Sequence, residues 1–399
     1  MNTNIDFLQP YPLERMNALK ADVSGNPDYP HVALSIGEPK HPPPEEVVAL
    51  LSQPQSLAAD LGTYPATRGS DQLRSTIADW LARRFAAQFR PGDQILPVSG
   101  TREALFSFAQ AVLSGKSDSL VLLPNPFYQI YEGAALLGGA SPMFLNTTAA
   151  NGYQPDFRAV PESVWRRCEL LYVCSPGNPT GRLLPAEDMR WLLETAREFD
   201  FIIAADECYS ELYLNEAQPP AGFAEVAASQ GDSEYQQLVV FHSLSKRSNL
   251  PGLRSGFVAG DASILGRYFK YRTYQGCALP AHVQRASALA WSDEAHVRAN
   301  RQLYRDKFSR ITPLLSQVFS VTDPEGGFYH WIDVGEDDQQ FALSAFRDIN
   351  ITVLPGSFIS READGINPGA GHIRVAWVAQ SDQCLEAANR LVQWQQQRR

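Results

Sequence analysis

The sequence has 399 residues, 44% of them hydrophobic and 20% charged, a balance that excludes a disordered or fibrous chain and that predicts two lobes. A formal net charge of −10 disfavours a nucleic-acid or anionic-membrane partner and favours a small-molecule ligand. No apolar run approaches the roughly 20 residues of a membrane span, and the five cysteines are scattered without a CxxC pair. We therefore expect a cytoplasmic protein with free thiols.

Residues 1–45 form the first predicted unit, an arm rich in proline and turn-forming residues. Prolines such as those at 42–44 exclude one long helix, so we expect an extended segment that lies on a neighbouring body. Within the arm, residues 34–36 read as a short strand that ends in a turn at Gly37. We expect the arm to pack with the C-terminal domain.

Residues 46–280 show strands alternating with helices, the pattern of a large α/β domain. The strands are apolar throughout, which predicts a mostly parallel sheet covered by helices on both faces. Strands are expected at 94–98, 120–123, 142–145, 169–174, 201–205, 238–241 and 256–260. Helices are expected at 102–113 and 128–137, and around Met189, Leu192, Leu193 and Ala196, which recur at helical spacing.

Residues 281–399 differ in pattern and predict a smaller α+β domain. Helices are expected at 294–318, at 340–348 and from 382 to the end, with strands at 328–334, 351–354 and 372–378. We find no internal repeat, and we predict no metal site.

Polar residues follow several of the predicted parallel strands, at the edge where ligands bind in such sheets. Ser99-Gly100-Thr101 begins a helix, where free backbone N–H groups and the helix dipole favour a phosphate, although the same residues also form ordinary N-caps. Asp206 ends a buried strand, so its carboxylate belongs either to a structural salt bridge or to a buried cation such as a protonated pyridine nitrogen.

A further polar loop reads Ser243-Leu244-Ser245-Lys246, with Arg254 eight residues beyond the lysine. Its amine, hydroxyls and fixed charge are what a lysine-bound phosphorylated aldehyde requires, whereas an isolated lysine in such a loop is more often a solvated surface residue. Asn178 and Tyr209 could hydrogen-bond a phenolic ring oxygen, and Tyr128 could stack on a ring. Each of these three could equally be a turn or core residue.

Six motifs occur in a fixed order along nearly the whole chain. They are Gly-Thr-Arg-Glu-Ala-Leu at 100–105, Ser-Pro-Gly-Asn-Pro-Thr-Gly at 175–181, Asp-Glu-Cys-Tyr at 206–209, Ser-Leu-Ser-Lys at 243–246, Arg254 and His-Ile-Arg-Val at 372–375. Together they resemble the class I/II pyridoxal-phosphate-dependent aminotransferases. The resemblance implies an α/β fold of the fold-type-I transferases, a homodimer with shared active sites, pyridoxal 5′-phosphate as cofactor, and amino acids and 2-oxo acids as substrates.

The resemblance also implies a role for each matching residue. Lys246, Asp206 and Tyr209 match the catalytic residues: the lysine that forms the Schiff base, the partner of the pyridinium nitrogen, and a ligand of the ring 3′-oxygen. Asn178 matches a second ligand of this oxygen that also contacts substrate, and Tyr128 matches the aromatic residue that stacks on the ring. The phosphate ligands are matched by Gly100, Thr101, Arg102, Ser243, Ser245 and Arg254, and Tyr64 matches a tyrosine that reaches the phosphate of the other subunit. Gly37 and Arg374 match the residues that bind the substrate α-carboxylate.

Ping-pong transamination is the reaction that this resemblance implies. Asp206 would keep the ring nitrogen protonated, and the freed Lys246 amine would move the proton from the substrate α-carbon to C4′ of the cofactor. A keto acid then leaves, pyridoxamine phosphate remains, and a second keto acid reverses the sequence.

Three segments indicate a subfamily. The lysine loop, Leu-Pro-Gly-Ser-Phe at 354–358 and Asn-Pro-Gly-Ala-Gly at 367–371 are similar to the succinyldiaminopimelate aminotransferases of bacterial lysine synthesis, and Arg247 and Arg68 depart from a generic aspartate or alanine enzyme. This similarity implies transamination between N-succinyl-LL-2,6-diaminopimelate and 2-oxoglutarate. The alternatives are a broader aspartate, alanine or aromatic aminotransferase, a cofactor-dependent β-lyase, and a ligand-sensing regulatory module, which the acidic balance disfavours.

Such a substrate carries two carboxylates besides the α-carboxylate, and these need positive or hydrogen-bonding partners. We expect Arg68, Arg15 or Arg272 to supply one.

Overall fold

The computed structural model describes residues 2–398, which form a large lobe, a small lobe and an N-terminal arm. The strands are β1 Val32–Ala33, β2 Ile95–Val98, β3 Leu120–Asn125, β4 Ser141–Asn146, β5 Cys168–Cys174, β6 Ile202–Asp206, β7 Leu238–Ser243, β8 Gly256–Gly260, β9 Tyr329–Asp333, β10 Ile351–Thr352, β11 Leu354–Pro355 and β12 His372–Ala376. The helices are α1 Pro12–Leu19, α2 Glu45–Leu51, α3 Pro54–Leu61, α4 Asp71–Phe85, α5 Thr101–Val112, α6 Gln129–Leu137, α7 Glu162–Trp165, α8 Ala186–Phe199, α9 Phe223–Ser229, α10 Leu244–Arg247, α11 Ala262–Gln275, α12 Ala281–Ser292, α13 Ala295–Leu315, α14 Asp338–Ile349 and α15 Ser381–Arg398.

A seven-stranded sheet forms the centre of the large lobe, in the order β2-β8-β7-β6-β5-β3-β4. Strand β8 runs antiparallel to its neighbours β2 and β7, and the other pairings are parallel. Every residue of β7 is buried, as an apolar strand between two helical layers requires. The α/β fold with a mostly parallel sheet, predicted from the sequence, is confirmed.

The sheet is held between two apolar cores, and β7 contributes to both. Successive side chains of a strand point to opposite faces. Leu238 and Val240 therefore pack with Trp80 and its neighbours on one face, whereas Val239 and Phe241 pack in the second core. Each such side chain contributes about 1.5–3 kcal/mol when it is fully buried. The two cores fix the strand ends from which the candidate site is built.

The small lobe contains a three-stranded antiparallel sheet in the order β11-β12-β9. Its separate core combines side chains of α14 and α15 with the C-terminal half of α13, including Phe308, Phe341 and Leu391. The predicted strand at 351–354 is divided here, since Val353 separates β10 from β11. Strand β12 carries Arg374 toward the large lobe.

The N-terminal arm joins the small lobe through β1, which pairs in parallel with β10. The predicted strand at 34–36 is wrong, because β1 covers only Val32–Ala33. At Leu34 the chain bridges two strands: its N–H donates to the Thr352 carbonyl at 2.8 Å, and its carbonyl accepts from Ala376 N–H at 2.7 Å. Residues 35–37 then turn away from the sheet and present their backbone to the cleft described below.

The expected domain boundary at residue 280 does not match the packing of α12. This helix lies beyond the boundary, yet Ala286 and Trp291 are buried in the core of the large lobe. Trp291 lies 4.7 Å, ring centre to ring centre, from Trp80 of α4. The apolar face of α12 therefore needs the large lobe, and we propose that the large lobe ends at Ser292.

Within residues 2–398, no helix combines the length and apolar character needed to cross a membrane. The same residues contain no group of three or more His, Cys, Asp or Glu side chains placed to hold a metal ion. All five cysteines have free thiols.

Candidate active site

A cleft of ≈ 550 Å³ lies at the carboxyl ends of β5, β6 and β7, where both lobes and the arm meet. The carboxyl ends of parallel strands share one edge of the sheet, so residues distant in sequence come together there. The sequence-predicted residues that line the cleft are Gly37, Thr101, Arg102, Tyr128, Asn178, Asp206, Tyr209, Ser243, Ser245, Lys246, Arg254 and Arg374.

Lys246 lies in α10, a single helical turn directly after β7. Ser243 caps this turn, because its hydroxyl accepts the Ser245 N–H at 3.1 Å. The Lys246 amine donates to the Gly37 carbonyl, and a Cβ at Gly37 would lie 2.0 Å from the Tyr329 hydroxyl, so only glycine allows this approach. Burial, helped by the positive charge of Arg374, lowers the pKa of Lys246 to about 8. A substantial fraction of this amine is therefore neutral and nucleophilic near neutral pH.

Asp206 ends β6 with its carboxylate buried among neutral donors. The Tyr131 hydroxyl donates to Oδ2 at 2.5 Å, and the Cys208 N–H donates to Oδ1 at 3.2 Å. Burial raises the pKa of Asp206, and these hydrogen bonds oppose that shift. Tyr131 is itself fixed by face-to-face stacking on Tyr172, with ring centres 4.5 Å apart. A cation that entered the cleft beside Asp206 would favour its ionised form.

An anion cradle lies at the N-terminus of α5. The first N–H groups of a helix have no partner within it, and here Gly100, the N-cap, has a φ of 85°. A Cβ at Gly100 would lie 2.3 Å from Nη2 of Arg254, so the missing side chain lets the guanidinium approach the helix end. Ser243 and Ser245 line the same cleft, with their hydroxyls 2.9 Å apart. Fixed charge, hydroxyls and free N–H groups are the ligands of a phosphate.

Arg374 extends from β12 across the cleft. Its Nη1 donates to Oδ1 of Asn178 at 2.9 Å and its Nη2 to the Ser35 carbonyl at 2.8 Å, so the guanidinium is held by the large lobe and by the arm. The Tyr329 ring lies 4.5 Å from its central carbon. Nε is buried without a hydrogen-bond partner among the described residues. This planar fork is arranged for a carboxylate rather than for a single acceptor.

Tyrosines surround the remaining wall of the cleft. The hydroxyls of Tyr209 and Tyr329 lie 2.9 Å apart, and burial raises the pKa of both. Tyr128 accepts a hydrogen bond from Nε of Arg102 at 2.7 Å, and Tyr11 accepts one from Nη2 at the same distance. Arg102 is thus a cleft cation held by two neutral hydroxyls.

Four arginines singled out in the sequence lie outside this cleft. Arg68 donates to the Gly92 carbonyl at 2.8 Å and covers Phe269. Arg15 covers Phe358 at 4.1 Å. None of Arg68, Arg15 and Arg272 lines the cleft of its own chain, because neighbouring groups of the fold already hold these side chains. The expectation is wrong within one chain and stays a prediction for a site shared between subunits.

Arg272 and Arg247 are buried structural cations. Nη1 of Arg272 forms a salt bridge with both carboxylate oxygens of Glu103, at 2.9 and 2.8 Å. Arg247, next to Lys246, points away from the cleft, donating to the Ala290 carbonyl at 2.8 Å and to Glu294 at 2.5 Å. It therefore ties the lysine turn to the connection between α12 and α13.

Tyr64 is fully exposed on the segment between α3 and α4 and does not line the cleft of its own chain. Three tyrosines of the cleft were missed by the sequence analysis: Tyr11, Tyr131 and Tyr329. Of these, only Tyr131 carried a signal, since it lies one helical turn after Tyr128 and so shares its face.

The arrangement combines a nucleophilic amine, a phosphate cradle, a buried carboxylate and a carboxylate-binding arginine. The family model described as aminotransferase class I and II matches residues 30–391. The chain belongs to the class I and II aminotransferases. These enzymes depend on pyridoxal phosphate, and the cradle at Gly100 and Arg254 together with the buried Asp206 carboxylate suits that cofactor's phosphate and ring nitrogen.

Individual relatives agree with this assignment. An aminotransferase structure from Neisseria meningitidis is 45% identical, with a TM-score of 0.93, over 99% of this chain and 100% of that one. A probable aminotransferase of Mycobacterium tuberculosis is 32% identical, over 96% of this chain and 84% of the relative. An LL-diaminopimelate aminotransferase of Desulforudis audaxviator is 27% identical, over 96% of this chain and 95% of the relative.

Proposed function

We propose that this aminotransferase transfers the amino group between N-succinyl-LL-2,6-diaminopimelate and 2-oxoglutarate by ping-pong kinetics. The likeness of its loops to succinyldiaminopimelate aminotransferases supports the succinylated substrate. The relative named LL-diaminopimelate aminotransferase supports a diaminopimelate skeleton. The observation that carries the proposal is Arg102, a cleft cation that no carboxylate of the described residues neutralises.

The residues that line the cleft support a set of proposed cofactor contacts. When bound, pyridoxal phosphate supplies a carbonyl for amines and a ring that accepts electrons from the substrate α-carbon. Lys246 would hold it covalently, Asp206 would pair with its ring nitrogen, and Asn178 and Tyr209 would hydrogen-bond its ring hydroxyl. The phosphate would lie in the cradle of Gly100, Thr101, the Arg102 N–H, Ser243, Ser245 and Arg254, and Tyr128 would stack on the ring.

Arg374 and Lys246 would perform the substrate steps. The Arg374 fork binds the α-carboxylate, for which Nε and the Nη groups provide parallel donors. That contact orients the α-carbon hydrogen toward the Lys246 amine. With its pKa near 8, this amine can take up and release the proton at neutral pH.

Arg102 would bind a distal carboxylate of the substrate. Its guanidinium is exposed at the mouth of the cleft, where Tyr11 and Tyr128 hold it in place at 2.7 Å each. A carboxylate that replaces one tyrosyl hydroxyl would form a charge-assisted hydrogen bond, which is stronger than the neutral one it displaces. Donors without a second carboxylate gain nothing from this contact.

The Arg102→Leu variant tests the substrate assignment. We expect kcat/KM for N-succinyl-LL-2,6-diaminopimelate to fall by about tenfold or more, because a charged partner of a carboxylate is lost. The value for alanine, which has no distal carboxylate, should change little. Cofactor absorbance, followed while donors are offered one at a time, measures both substrates in the same preparation.

Arg167→Leu is the matched control, since Arg167 is also exposed and donates to the Asp118 carbonyl outside the cleft. It should affect both donors equally. If Arg102→Leu also affects both donors equally, the distal-carboxylate contact is wrong. If wild-type enzyme reacts with aspartate, alanine or aromatic donors as fast as with the succinylated one, it is a broad aminotransferase. Pyruvate and ammonia released without a keto-acid acceptor would indicate a β-lyase.

We also propose a cytoplasmic homodimer in which Tyr64 of one subunit reaches the phosphate of the other. The free cysteines support a reducing compartment. Full exposure of Tyr64, with Leu61 three residues before it 69% exposed, supports an interface at this segment. Mixing inactive Tyr64→Ala and Lys246→Ala subunits should restore partial activity, because mixed dimers contain one intact site. No recovery from mixtures that sediment as dimers would exclude the shared site.

A further inference from the structure

A chain of buried hydrogen bonds joins the small lobe to the turn that carries Lys246. It begins at Lys307 of α13. The Lys307 Nζ donates to the carbonyl of Trp377 at 2.9 Å, to that of Ala379 at 2.5 Å, and to Nε2 of His41 at 2.7 Å. Trp377 directly follows β12, so the anchoring carbonyls belong to the same segment as the substrate-binding arginine.

The donor and acceptor properties of these groups fix the direction of each hydrogen bond in the series. An ammonium group only donates, so Nε2 of His41 must accept and its Nδ1 carries the proton. Nδ1 then donates to Oδ1 of Asn300 at 2.9 Å. Nδ2 of Asn300 donates in turn to the carbonyls of Lys246 and Arg247, at 3.2 and 3.3 Å. The His41 and Asn300 donors therefore point toward the carbonyls of the last two residues of α10, and the Asn249 side chain also donates to Oδ1 of Asn300 at 2.9 Å.

The three side chains lie deep in the protein, where polar groups are costly unless they are paired. His41 is 6% exposed, Asn300 3% and Lys307 2%. Lys307 has no carboxylate partner among the described residues, and burial lowers its pKa to about 8. Burial is also the main cause that lowers the pKa of His41 to about 4, which keeps the imidazole neutral. A fully satisfied buried network of this kind fixes one arrangement of the elements that it joins.

The arm also touches the site directly, through the backbone just before His41. The Gly37 carbonyl accepts the Lys246 amine, and the Ser35 carbonyl accepts Nη2 of Arg374. Residues 35–41 thus contact Lys246 at its side chain and, through Asn300, at its backbone. The small lobe and the arm therefore act on both ends of the same lysine.

We propose that His41, Asn300 and Lys307 are positioning residues for Lys246, whose amine they place by holding the lysine turn to the docked arm and small lobe. The inference rests on the proposed role of Lys246 as the cofactor lysine. On this inference, correct placement of the Lys246 amine requires more than the residues of the cleft. The backbone carbonyls of Lys246 and Arg247 must also be held, by Asn300.

The protein offers a matched control variant for two members of the network, His41 and Lys307. His31 and Lys20 also join the arm to the small lobe, through the Thr352 hydroxyl at 2.9 and 3.3 Å, but they do not reach Lys246. The test pairs are therefore His41→Leu with His31→Leu and Lys307→Met with Lys20→Met. The apoprotein is mixed with pyridoxal phosphate, and the rate of its attachment to Lys246 is read by absorbance and by mass spectrometry after borohydride reduction.

We expect His41→Leu and Lys307→Met to slow attachment by about tenfold, because the loss of one link leaves buried polar groups unsatisfied. The kcat for an amino donor should fall while its KM, set by Arg374, changes little. His31→Leu and Lys20→Met should attach the cofactor at nearly the wild-type rate. A purely structural role would lower melting temperatures in both pairs without this selectivity.

Equal attachment rates in the test and control variants would overturn the inference. If His41→Leu fails to fold, Asn300→Ser, which removes the amide that joins His41 to the carbonyls of the lysine turn, decides in the same assay. Failure of the wild-type protein to attach pyridoxal phosphate at Lys246 would instead overturn the proposed function. The two failures are therefore distinguishable in one experiment.

Discussion

Lys246→Ala is expected to abolish covalent attachment of the cofactor and to lower the rate of transamination by at least about 10³-fold. The variant removes the amine that we propose holds the cofactor and moves the α-proton, and general acid–base catalysis alone contributes about 10²–10⁴-fold. Borohydride reduction followed by mass spectrometry should find the cofactor on residue 246 of the wild-type protein and nowhere in the variant. Single-turnover absorbance measures the loss of rate.

Lys270→Ala is the control, since this lysine is exposed on α11, away from the cleft. It should leave both measurements unchanged. The wild-type apoprotein should also show a Lys246 reactivity that rises with pH to a plateau above about 8, the value to which burial lowers the amine pKa. Persistent cofactor attachment in Lys246→Ala, or a midpoint near the ordinary lysine value, would contradict the assignment.

Arg374→Lys is expected to raise the KM for amino donors by about 10²-fold, with a smaller change in kcat. Arg374 is 8% exposed and offers a planar fork, which a lysine replaces with one compact charge. Truncating one partner of a buried charge pair costs about 2–5 kcal/mol. Steady-state kinetics with glutamate and with the succinylated donor measure the change, which should be similar for both because each carries an α-carboxylate.

Arg361→Lys provides the matched control for this substitution. Arg361 forms a comparable two-pronged pair with Glu132, at 2.8 and 2.6 Å, but it does not line the cleft. We expect its replacement to lower the melting temperature and to leave KM unchanged. Cofactor affinity should be unaffected in Arg374→Lys, since the phosphate cradle lies elsewhere. An unchanged KM in Arg374→Lys would remove the arginine from substrate binding.

The sheet and most of the cleft could be predicted because both rest on local patterns. An apolar run such as β6 forms a buried strand wherever helices cover it, and a polar residue directly after the run must lie at the carboxyl edge. Asp206 and Lys246 are placed in the cleft by this rule alone. Their chemical roles came from the order of the motifs, which no single position contains.

The partners of the arginines could not be predicted, because tertiary packing chooses them. Arg247 adjoins Lys246 in sequence, yet a helix rotates successive side chains by about 100°, so it points into the core. The buried Arg272 forms a salt bridge with Glu103. Conversely, Arg102 looked like part of a phosphate motif, and its side chain lies instead between two tyrosines, one of them from the arm. Side-chain direction depends on neighbours that are distant in sequence.

The arm has a consequence for how the enzyme is made. Ser35 meets Arg374 across 339 residues of sequence, and β1 pairs with β10 at a similar distance. At about 5–20 residues per second, a ribosome needs roughly 15–70 s to synthesise that interval. The arm therefore stays unpaired until β10 and β12 have been synthesised. The large lobe can fold during synthesis, whereas the active site closes only after the last strand is released.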